Sequence, residues 1–390
     1  VLTMPKSWLD RIELGLIFVL SGFVFWPNAI SSIGLILLLI IRIMSVRKTA
    51  FPNLKDLWLL TPIAVLIVAW IFHGFATDGQ RELQLWLTWI AAFIYFKSSP
   101  FKAQFSKSFV LLSFIQALVV LIYFTFAEPM SGLGFSHQFR EVISSTFHVH
   151  PTFLSTAWIW ASFICFTQLI LSLRNKVLMG STLIFMAFMA GGRMPLIAAF
   201  IVLLIYILFQ RNSTKAKIIT ASSALVLVLL NVFFNPVFSE RMNELNALDT
   251  SYEEGQMLSS TELRLGIWKC SISSIEENWL FGVGPGNTRQ VLDNCYASYE
   301  QVEFFQTEFN THNQYMHFWL SSGILGFTAL IGVFLFVLIF AWKHQNVPLL
   351  YFTIFFGIIC LTENYFSRQF GMMFGAFFFS SYFYSARQVK

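Results

Sequence analysis

Long apolar runs alternate with short polar connections along most of the chain. A helix that crosses a lipid bilayer needs about 20 mostly apolar residues, and by that criterion the pattern predicts about twelve transmembrane helices. The predicted fold class is therefore an all-α polytopic membrane protein. The predicted spans are residues 13–26, 28–45, 54–73, 82–97, 105–126, 151–172, 177–192, 194–210, 217–234, 313–341, 346–362 and 369–385.

Basic residues follow every second predicted span. Because Lys and Arg collect in the cytoplasmic loops of membrane proteins, both chain ends are predicted to be cytoplasmic and the number of spans even. The residues that give this pattern are Arg42, Arg47, Lys48, Lys97, Lys102, Lys107, Arg174, Lys176, Arg211, Lys215, Lys217, Lys343, Arg387 and Lys390.

The composition favours a single integral membrane domain over residues 1–390. The chain is 56% hydrophobic and 12% charged, which is too little charge to cover a soluble protein of this size. Its net charge of +5 comes from the loop clusters and not from one basic face, so no nucleic-acid partner is expected. No cleavable signal peptide is expected either, because the first apolar run, from Leu14, lacks a small-residue cleavage site.

Three segments fall on the outer side of the predicted topology. They are the loop 127–150, the tight turn that ends at Arg193, and a large polar loop, 235–312, between spans nine and ten. Connections as long as the last one usually have a function. We therefore expect the chemistry of the protein at this face.

The large loop is predicted to contain short helices. Ser259 and Glu262 have the spacing of a capping box, which predicts a helix from about Ser260. The hexapeptide GVGPGN (282–287) would end that helix, and a second would follow from about Thr288.

GVGPGN is interpreted first as a turn. Its spacing does not fit a nucleotide-binding GxGxxG motif, and no lysine follows as in a P-loop. A close approach of its backbone to a phosphate, at Gly284 and Gly286, is kept as a secondary prediction.

Two arginines are candidates for anion binding. An arginine at membrane depth is costly and usually functional, and Arg193 follows two glycines in a turn where a ligand could approach. The alternative is an arginine that extends to the lipid headgroups. Arg264 alone would be an ordinary surface charge. It is a candidate because of the residues around it, among them Trp268, which lies one turn further along the same predicted helix.

His312 is the candidate base. A neutral imidazole at the outer surface could take a proton from a hydroxyl group near neutral pH, although an interfacial anchor is the commoner role of such a histidine. Asn310 or Thr311 is expected to cap the span that begins at His312. Asn313 and Tyr315 are candidate substrate-binding residues.

Four further side chains are considered with their alternatives. His148 and His150 form an HxH pair without a carboxylate pattern, so a metal site is not expected; helix capping or substrate contact by this pair is favoured, with His150 as the candidate substrate-binding residue. Glu363 and Arg368 lie in the predicted outer turn between the last two spans. Both are candidate substrate-binding residues, and they would either pair with each other or help to position Arg193 or His312.

The four cysteines divide into two kinds. Cys165 and Cys360 lie in apolar runs and are interpreted as core residues. Cys270 and Cys295 both lie in the large loop, where a disulfide is considered without being decided, because the sequence does not give their separation.

Several motifs together resemble the signature region of the bacterial O-antigen ligase and O-antigen polymerase superfamily. Arg193 in the outer turn is also similar to that family. The motifs are HPTFLS (150–155), T-x-x-R-x-x-x-W (261–268), ENWLFGVGPGN (277–287) and HNQYMHFWLSSGILG (312–326).

The resemblance implies a GT-C-like membrane glycosyltransferase of the bacterial inner membrane, with its active site facing the periplasm. Such proteins take a glycan from undecaprenyl diphosphate and join it to an acceptor hydroxyl, either of the lipid A core or of another lipid-linked glycan. An inverting transfer is implied, without metal, cofactor or nucleotide sugar. Arg193 and Arg264 would bind the diphosphate, and His312 would act on the acceptor. Membrane lipid would surround the spans.

Alternative functions were weighed against this interpretation. A ligase is placed slightly ahead of a polymerase, and transfer to a protein hydroxyl is ranked lower. A transporter of lipid-linked glycans is the alternative from another class. Against it, the spans contain few ionisable residues at mid-depth and no paired broken helices in matching halves.

Overall fold

The computed structural model describes residues 8–45, 54–128, 134–209, 260–299, 304 and 309–385. In these ranges the chain is helical and contains no β-strand. The α-helices are α1 Trp8–Ser21, α2 Asn28–Ser45, α3 Thr61–Phe72, α4 Thr77–Ser98, α5 Lys102–Phe126, α6 Phe135–Phe147, α7 Pro151–Thr167, α8 Leu173–Met189, α9 Arg193–Phe209, α10 Ser260–Glu277, α11 Thr288–Tyr296, α12 Gln314–Lys343, α13 Val347–Ile359 and α14 Gln369–Ser385. Two short 3₁₀ helices, Leu54–Leu60 and Tyr365–Ser367, complete the described secondary structure.

The apolar helices confirm the all-helical class, whereas the count of twelve spans is not confirmed. Within the described residues, α5 and α12 are long and apolar enough to cross a membrane. A third span results if α6 and α7, which meet at 89°, count as one broken span. Other apolar helices, such as α9 and α13, are shorter. The predicted ninth span, 217–234, lies outside the described residues.

The chain divides into two compact units. The first comprises residues 1–41 and 100–244, and the second residues 42–99 and 245–390. In the first unit, α7 packs against α8 and α5, and α1 packs against α5. Ser162 on α7 donates a hydrogen bond to the Gly180 carbonyl of α8, which indicates a close approach of these two backbones.

The second unit has an aromatic core. Its helix α14 packs along α4, and α12 packs against α3 and α13. Trp86 and Trp89 of α4 contact Phe366, and Trp89 also contacts Phe379 of α14. Interactions between helices in a membrane come mainly from close packing, and these ring contacts supply it.

Helix α12 is broken near its beginning. Ser322 and Gly323 have non-helical backbone angles, a break that the predicted span 313–341 did not include. A short helix, residues 314–321 (the half-helix), precedes the break. The helix that continues from Ile324 to Lys343 has roughly 20 residues, which is enough to cross a bilayer alone.

The GVGPGN turn forms backbone hydrogen bonds with the residues at this break. The amides of Val283 and Gly284 donate to the carbonyls of Leu320 and Ser321, at 2.8 and 3.0 Å. These carbonyls end the half-helix and have no partner within it. Gly323 has a φ of +63°, and a Cβ there would overlap the Leu280 carbonyl. Only glycine fits such a position without strain.

A disulfide joins the two helices of the predicted large loop. Helices α10 and α11 confirm the predicted helices from about Ser260 and Thr288, although Ser259 lies outside the described residues. Cys270 and Cys295 are bonded, with their Cα atoms 5.8 Å apart. Tyr296 is buried beside this bridge, and burial raises the pKa of its phenol.

Candidate active site

Glu363 connects the candidate base with one of the candidate arginines. Its Oε1 accepts a hydrogen bond from Arg264 Nη2 at 2.9 Å, and its Oε2 lies 3.3 Å from His312 Nδ1. The Glu363 side chain is 10% exposed, against 29% for Arg264 and 24% for His312. The carboxylate is therefore buried, while the guanidinium and the imidazole still reach the surface.

The contact of His312 with Glu363 is an ion-pair contact and not an aligned hydrogen bond. The distance is short enough for a protonated imidazole, but Nδ1 has no hydrogen bond of good geometry. In the described part of the chain, Nε2 contacts no protein acceptor or donor. The ring thus turns Nδ1 towards the carboxylate and leaves Nε2 for another molecule.

The backbone around His312 is held in an uncommon conformation. His312 has a φ of +44°, and its amide donates to the Asn310 side chain at 2.9 Å. Thr311 is hydrogen-bonded to Asn364. Such left-handed positions carry a cost for a non-glycine residue and are common at functional sites.

The helix that follows is capped by a different residue from those predicted. Asn313 Oδ1 accepts hydrogen bonds from the amides of Tyr315 and Met316 at 2.9 and 3.1 Å. The prediction that Asn310 or Thr311 caps this helix is therefore wrong, because the helix begins at Gln314 and not at His312. Because its side-chain oxygen caps the helix, Asn313 has a structural role. Its contact with the substrate stays a prediction.

Gln314 fixes the half-helix to the turn that carries Glu363. Its amide donates to the Cys360 carbonyl at 2.8 Å. Its side-chain oxygen accepts a hydrogen bond from the Phe366 amide, also at 2.8 Å. These two bonds fix the start of the half-helix on both sides of Glu363, so the carboxylate and His312 are positioned by one piece of backbone.

Three buried hydrogen-bond donors on α10 and at the start of α12 have no protein partner among the described residues. Arg264 Nε, Trp268 Nε1 and Gln314 Nε2 are all buried and make no hydrogen bond in the described structure. An unsatisfied buried donor costs about 1–3 kcal/mol, and most such groups in proteins are paired. Donors of this kind suit a ligand rich in oxygen atoms, such as a phosphate or a sugar.

The other predicted residues of the second unit lie away from this carboxylate. The Tyr315 hydroxyl donates to the Gly357 carbonyl at 2.8 Å, so it is engaged in packing. Arg368 is exposed and forms no ion pair with Glu363; the alternative that these two pair is wrong. Gly284 has its amide bonded to Ser321, and Gly286 lies against the backbone of α4. A phosphate contact by either glycine stays a prediction.

Arg193 and His150 belong to the first unit. Arg193 is the first residue of α9, directly after the Gly191–Gly192 turn, and is partly exposed. His150 caps α7: its Nδ1 accepts the Thr152 amide at 3.4 Å. Helix capping by His150 is thus confirmed, and its substrate contact stays a prediction, as does the role of Arg193.

The described residues contain no group of three or more His, Cys, Asp or Glu side chains that could hold a metal ion. The cationic group that faces the buried carboxylate is a guanidinium.

Comparison with known proteins finds a family that is similar to part of the chain. The family model described as O-antigen ligase matches residues 178–331. The resemblance to the O-antigen ligase superfamily is confirmed. The match includes Arg193, Arg264 and His312, whereas Glu363 lies beyond its end.

A relative in Haemophilus influenzae extends the similarity over most of the chain. This uncharacterized protein is 24% identical over 353 residues, which cover 85% of the present chain and 83% of the relative. Its name gives no activity. The functional indication therefore comes from the O-antigen ligase match, which supports a function of the ligase or polymerase type.

Two features of the site were not assigned from the sequence. The first is the unpartnered indole N–H of Trp268. The T-x-x-R-x-x-x-W motif includes this residue, and its position one turn after Arg264 could have indicated a shared role. The contact of Glu363 with Arg264 was missed because the two residues are 99 positions apart.

Proposed function

We propose that the protein is an O-antigen ligase-like glycosyltransferase. It would move a glycan from undecaprenyl diphosphate to an acceptor hydroxyl of the lipid A core, on the periplasmic face of the inner membrane. The observation that carries this proposal is the Glu363 carboxylate, which contacts both the candidate base His312 and the candidate phosphate ligand Arg264. It gives one site a proton acceptor and an anion-binding group.

The proposed reaction is a single displacement with inversion. The acceptor oxygen forms a bond to the anomeric carbon, and the bond from that carbon to the phosphate oxygen breaks. The electron pair of the broken bond remains on the undecaprenyl diphosphate. His312 Nε2 takes the proton of the acceptor hydroxyl, and the nearby Glu363 carboxylate stabilises the imidazolium that results.

The leaving diphosphate gains negative charge as the bond breaks. Arg264 keeps its unpartnered Nε and its remaining amino hydrogens for the phosphate oxygens, and Trp268 Nε1 would add a neutral donor. Arg193 is proposed as the second guanidinium. Such pre-positioned donors stabilise developing charge without a divalent cation, so the transfer is proposed to be independent of metal.

The periplasmic location is supported by the disulfide. Disulfides persist in oxidising compartments, including the bacterial periplasm, and are rare in the cytosol. Helix α10 carries both Arg264 and Cys270, so the oxidised helix also presents the proposed diphosphate ligand. The bridge thus favours the outer placement of the site.

The broken helix α12 does not support the transport alternative. In many transporters the free ends of broken helices bind the substrate. Here the carbonyls of Leu320 and Ser321 and the amide of Ile324 are bonded to residues 279–284. The break is therefore closed by protein backbone.

Deletion of the gene tests the proposal. Lipopolysaccharide and the pool of lipid-linked glycan are analysed in the deletion strain and after complementation. A ligase is expected to leave the lipid A core bare while long glycans accumulate on undecaprenyl diphosphate. A core that carries a single repeat unit would assign a polymerase instead. If neither pool changes, the transferase proposal is wrong.

A further inference from the structure

A second histidine–carboxylate pair lies on the half-helix. His317 Nε2 and Glu82 Oε1 are 2.8 Å apart, and their side chains are only 7% and 12% exposed. Glu82 belongs to α4, 235 residues earlier in the chain. Breaking a buried bond of this kind leaves a polar group without a partner, which is costly. The pair is therefore a strong tether between α4 and the half-helix.

The tether acts close to the proposed base. The His317 amide donates to the Asn313 carbonyl at 2.9 Å, so His317 sits in the first turn of the helix that directly follows His312. A helical turn rises only about 5.4 Å and is rigid. A displacement of His317 would therefore be transmitted to Asn313 and His312.

Hydrogen bonds already hold both ends of the half-helix. Its beginning is bonded through Gln314 to the turn that carries Glu363, and its end is held by the GVGPGN turn. Helix α4 packs against both the half-helix and the GVGPGN turn, since Trp86 contacts Phe318 of the half-helix and Gly286 of the turn lies against the α4 backbone. To this apolar packing the bond from Glu82 adds a buried polar contact with a defined direction, which restricts the rotation of the half-helix against α4.

We propose that the Glu82–His317 hydrogen bond is a positioning pair, which orients His312 towards the acceptor hydroxyl. Its kinetic consequence rests on the proposed transferase function. Glu82 and His317 act through the half-helix and not on the substrate, so their loss should slow the chemical step and spare donor binding.

Four variants of the purified protein test this pair: Glu82→Ala, His317→Ala, the double variant and Glu82→Gln. The alanine variants are expected to lower kcat about tenfold or more, because small misplacements of a catalytic group are costly. The KM for the lipid-linked donor should stay within about twofold, since the diphosphate ligands are untouched. The double variant should be no slower than either single variant, because each removes the same bond.

Glu82→Gln and Arg81→Gln are the controls. The glutamine at position 82 keeps an acceptor oxygen for His317 and should retain kcat within about threefold. Arg81 is the exposed neighbour of Glu82, and its replacement should have no effect. Normal kcat per folded protein in Glu82→Ala, or additive losses in the double variant, would overturn the proposal.

A readout without catalysis separates this proposal from the proposed function. Hydrogen–deuterium exchange of the amides of residues 314–321 should increase in Glu82→Ala and His317→Ala, and not in Glu82→Gln or Arg81→Gln. Increased exchange in a protein that transfers no glycan would reject the transferase function and support the tether. Unchanged exchange in both alanine variants would reject the tether.

Discussion

Glu363 Oε2 lies 3.3 Å from Nδ1 of the His312 imidazole, whose Nε2 contacts no hydrogen-bonding group of the described residues. The same carboxylate is bonded to Arg264. One buried carboxylate thus contacts the proposed base His312 and neutralises the positive charge of Arg264, the proposed phosphate ligand. This relationship makes Glu363 the most informative residue to change outside the segment matched by the O-antigen ligase family.

Replacing Glu363 with Gln should lower the transfer rate about 10- to 100-fold. This is less than the complete loss of general acid–base catalysis would cost, about 100-fold or more, because His312 itself is kept. The amide keeps the size of the side chain but loses the charge that stabilises the imidazolium. Initial rates of glycan transfer by purified protein measure the effect. Glu277→Gln removes an exposed carboxylate of α10 and serves as the control. Equal rates in both variants would show that the Glu363 charge is not needed.

Trp268→Phe tests the unpartnered indole donor. The substitution removes the Nε1–H donor and replaces the indole with a smaller phenyl ring, so the melting temperature is measured beside the KM to separate lost packing from the lost hydrogen bond. If this N–H donates to the donor substrate, its loss removes about 0.5–1.5 kcal/mol of binding, a KM increase of roughly 2- to 13-fold. Trp279 is an exposed tryptophan, and Trp279→Phe is the matched control. A donor KM that stays at the wild-type value in Trp268→Phe would argue against the contact.

Gly323→Ala tests the break in α12. The new Cβ would overlap the Leu280 carbonyl, and the positive φ would be strained. We expect a loss of about 1–3 kcal/mol in stability together with a loss of transfer, measured as the melting temperature and the rate. Gly332 lies further along the same helix with open space around it. Gly332→Ala should be neutral or stabilising by up to about 1 kcal/mol. Similar melting temperatures for the two variants would contradict the observed break.

The disulfide can be counted directly. The chain has four cysteines, of which Cys165 and Cys360 are free. Alkylation of the denatured protein without reductant should therefore modify two cysteines, and alkylation after reduction all four. Removing Cys270 and Cys295 together should cost about 3 kcal/mol, seen as a lower melting temperature. Four modified cysteines without reductant would rule out the bridge.

The sequence predicted the helical class and much of the site, for reasons that are local. Helices α10 and α11 follow from a capping signal and a glycine-rich turn, which act over a few residues. Arg264 and His312 came from motifs with fixed spacing. Such features need no knowledge of distant contacts.

The remaining features depend on contacts that the sequence pattern does not encode. The break at Gly323 was missed because the apolar run around it is continuous, although a Ser-Gly pair is a known cause of kinks. His317 lies inside that run, and its partner Glu82 is far away in sequence. For Glu363 the sequence offered two alternatives, and only the folded chain distinguishes them.

The central claim is that His312 removes the acceptor proton in a metal-independent transfer. The direct measurement is glycan transfer from an undecaprenyl-diphosphate-linked donor to lipid A core by the purified protein, in the presence of a chelator. The wild type should transfer and His312→Ala should not, although both should bind the donor equally. Transfer by His312→Ala at the wild-type rate, or loss of wild-type activity in the chelator, would contradict the account.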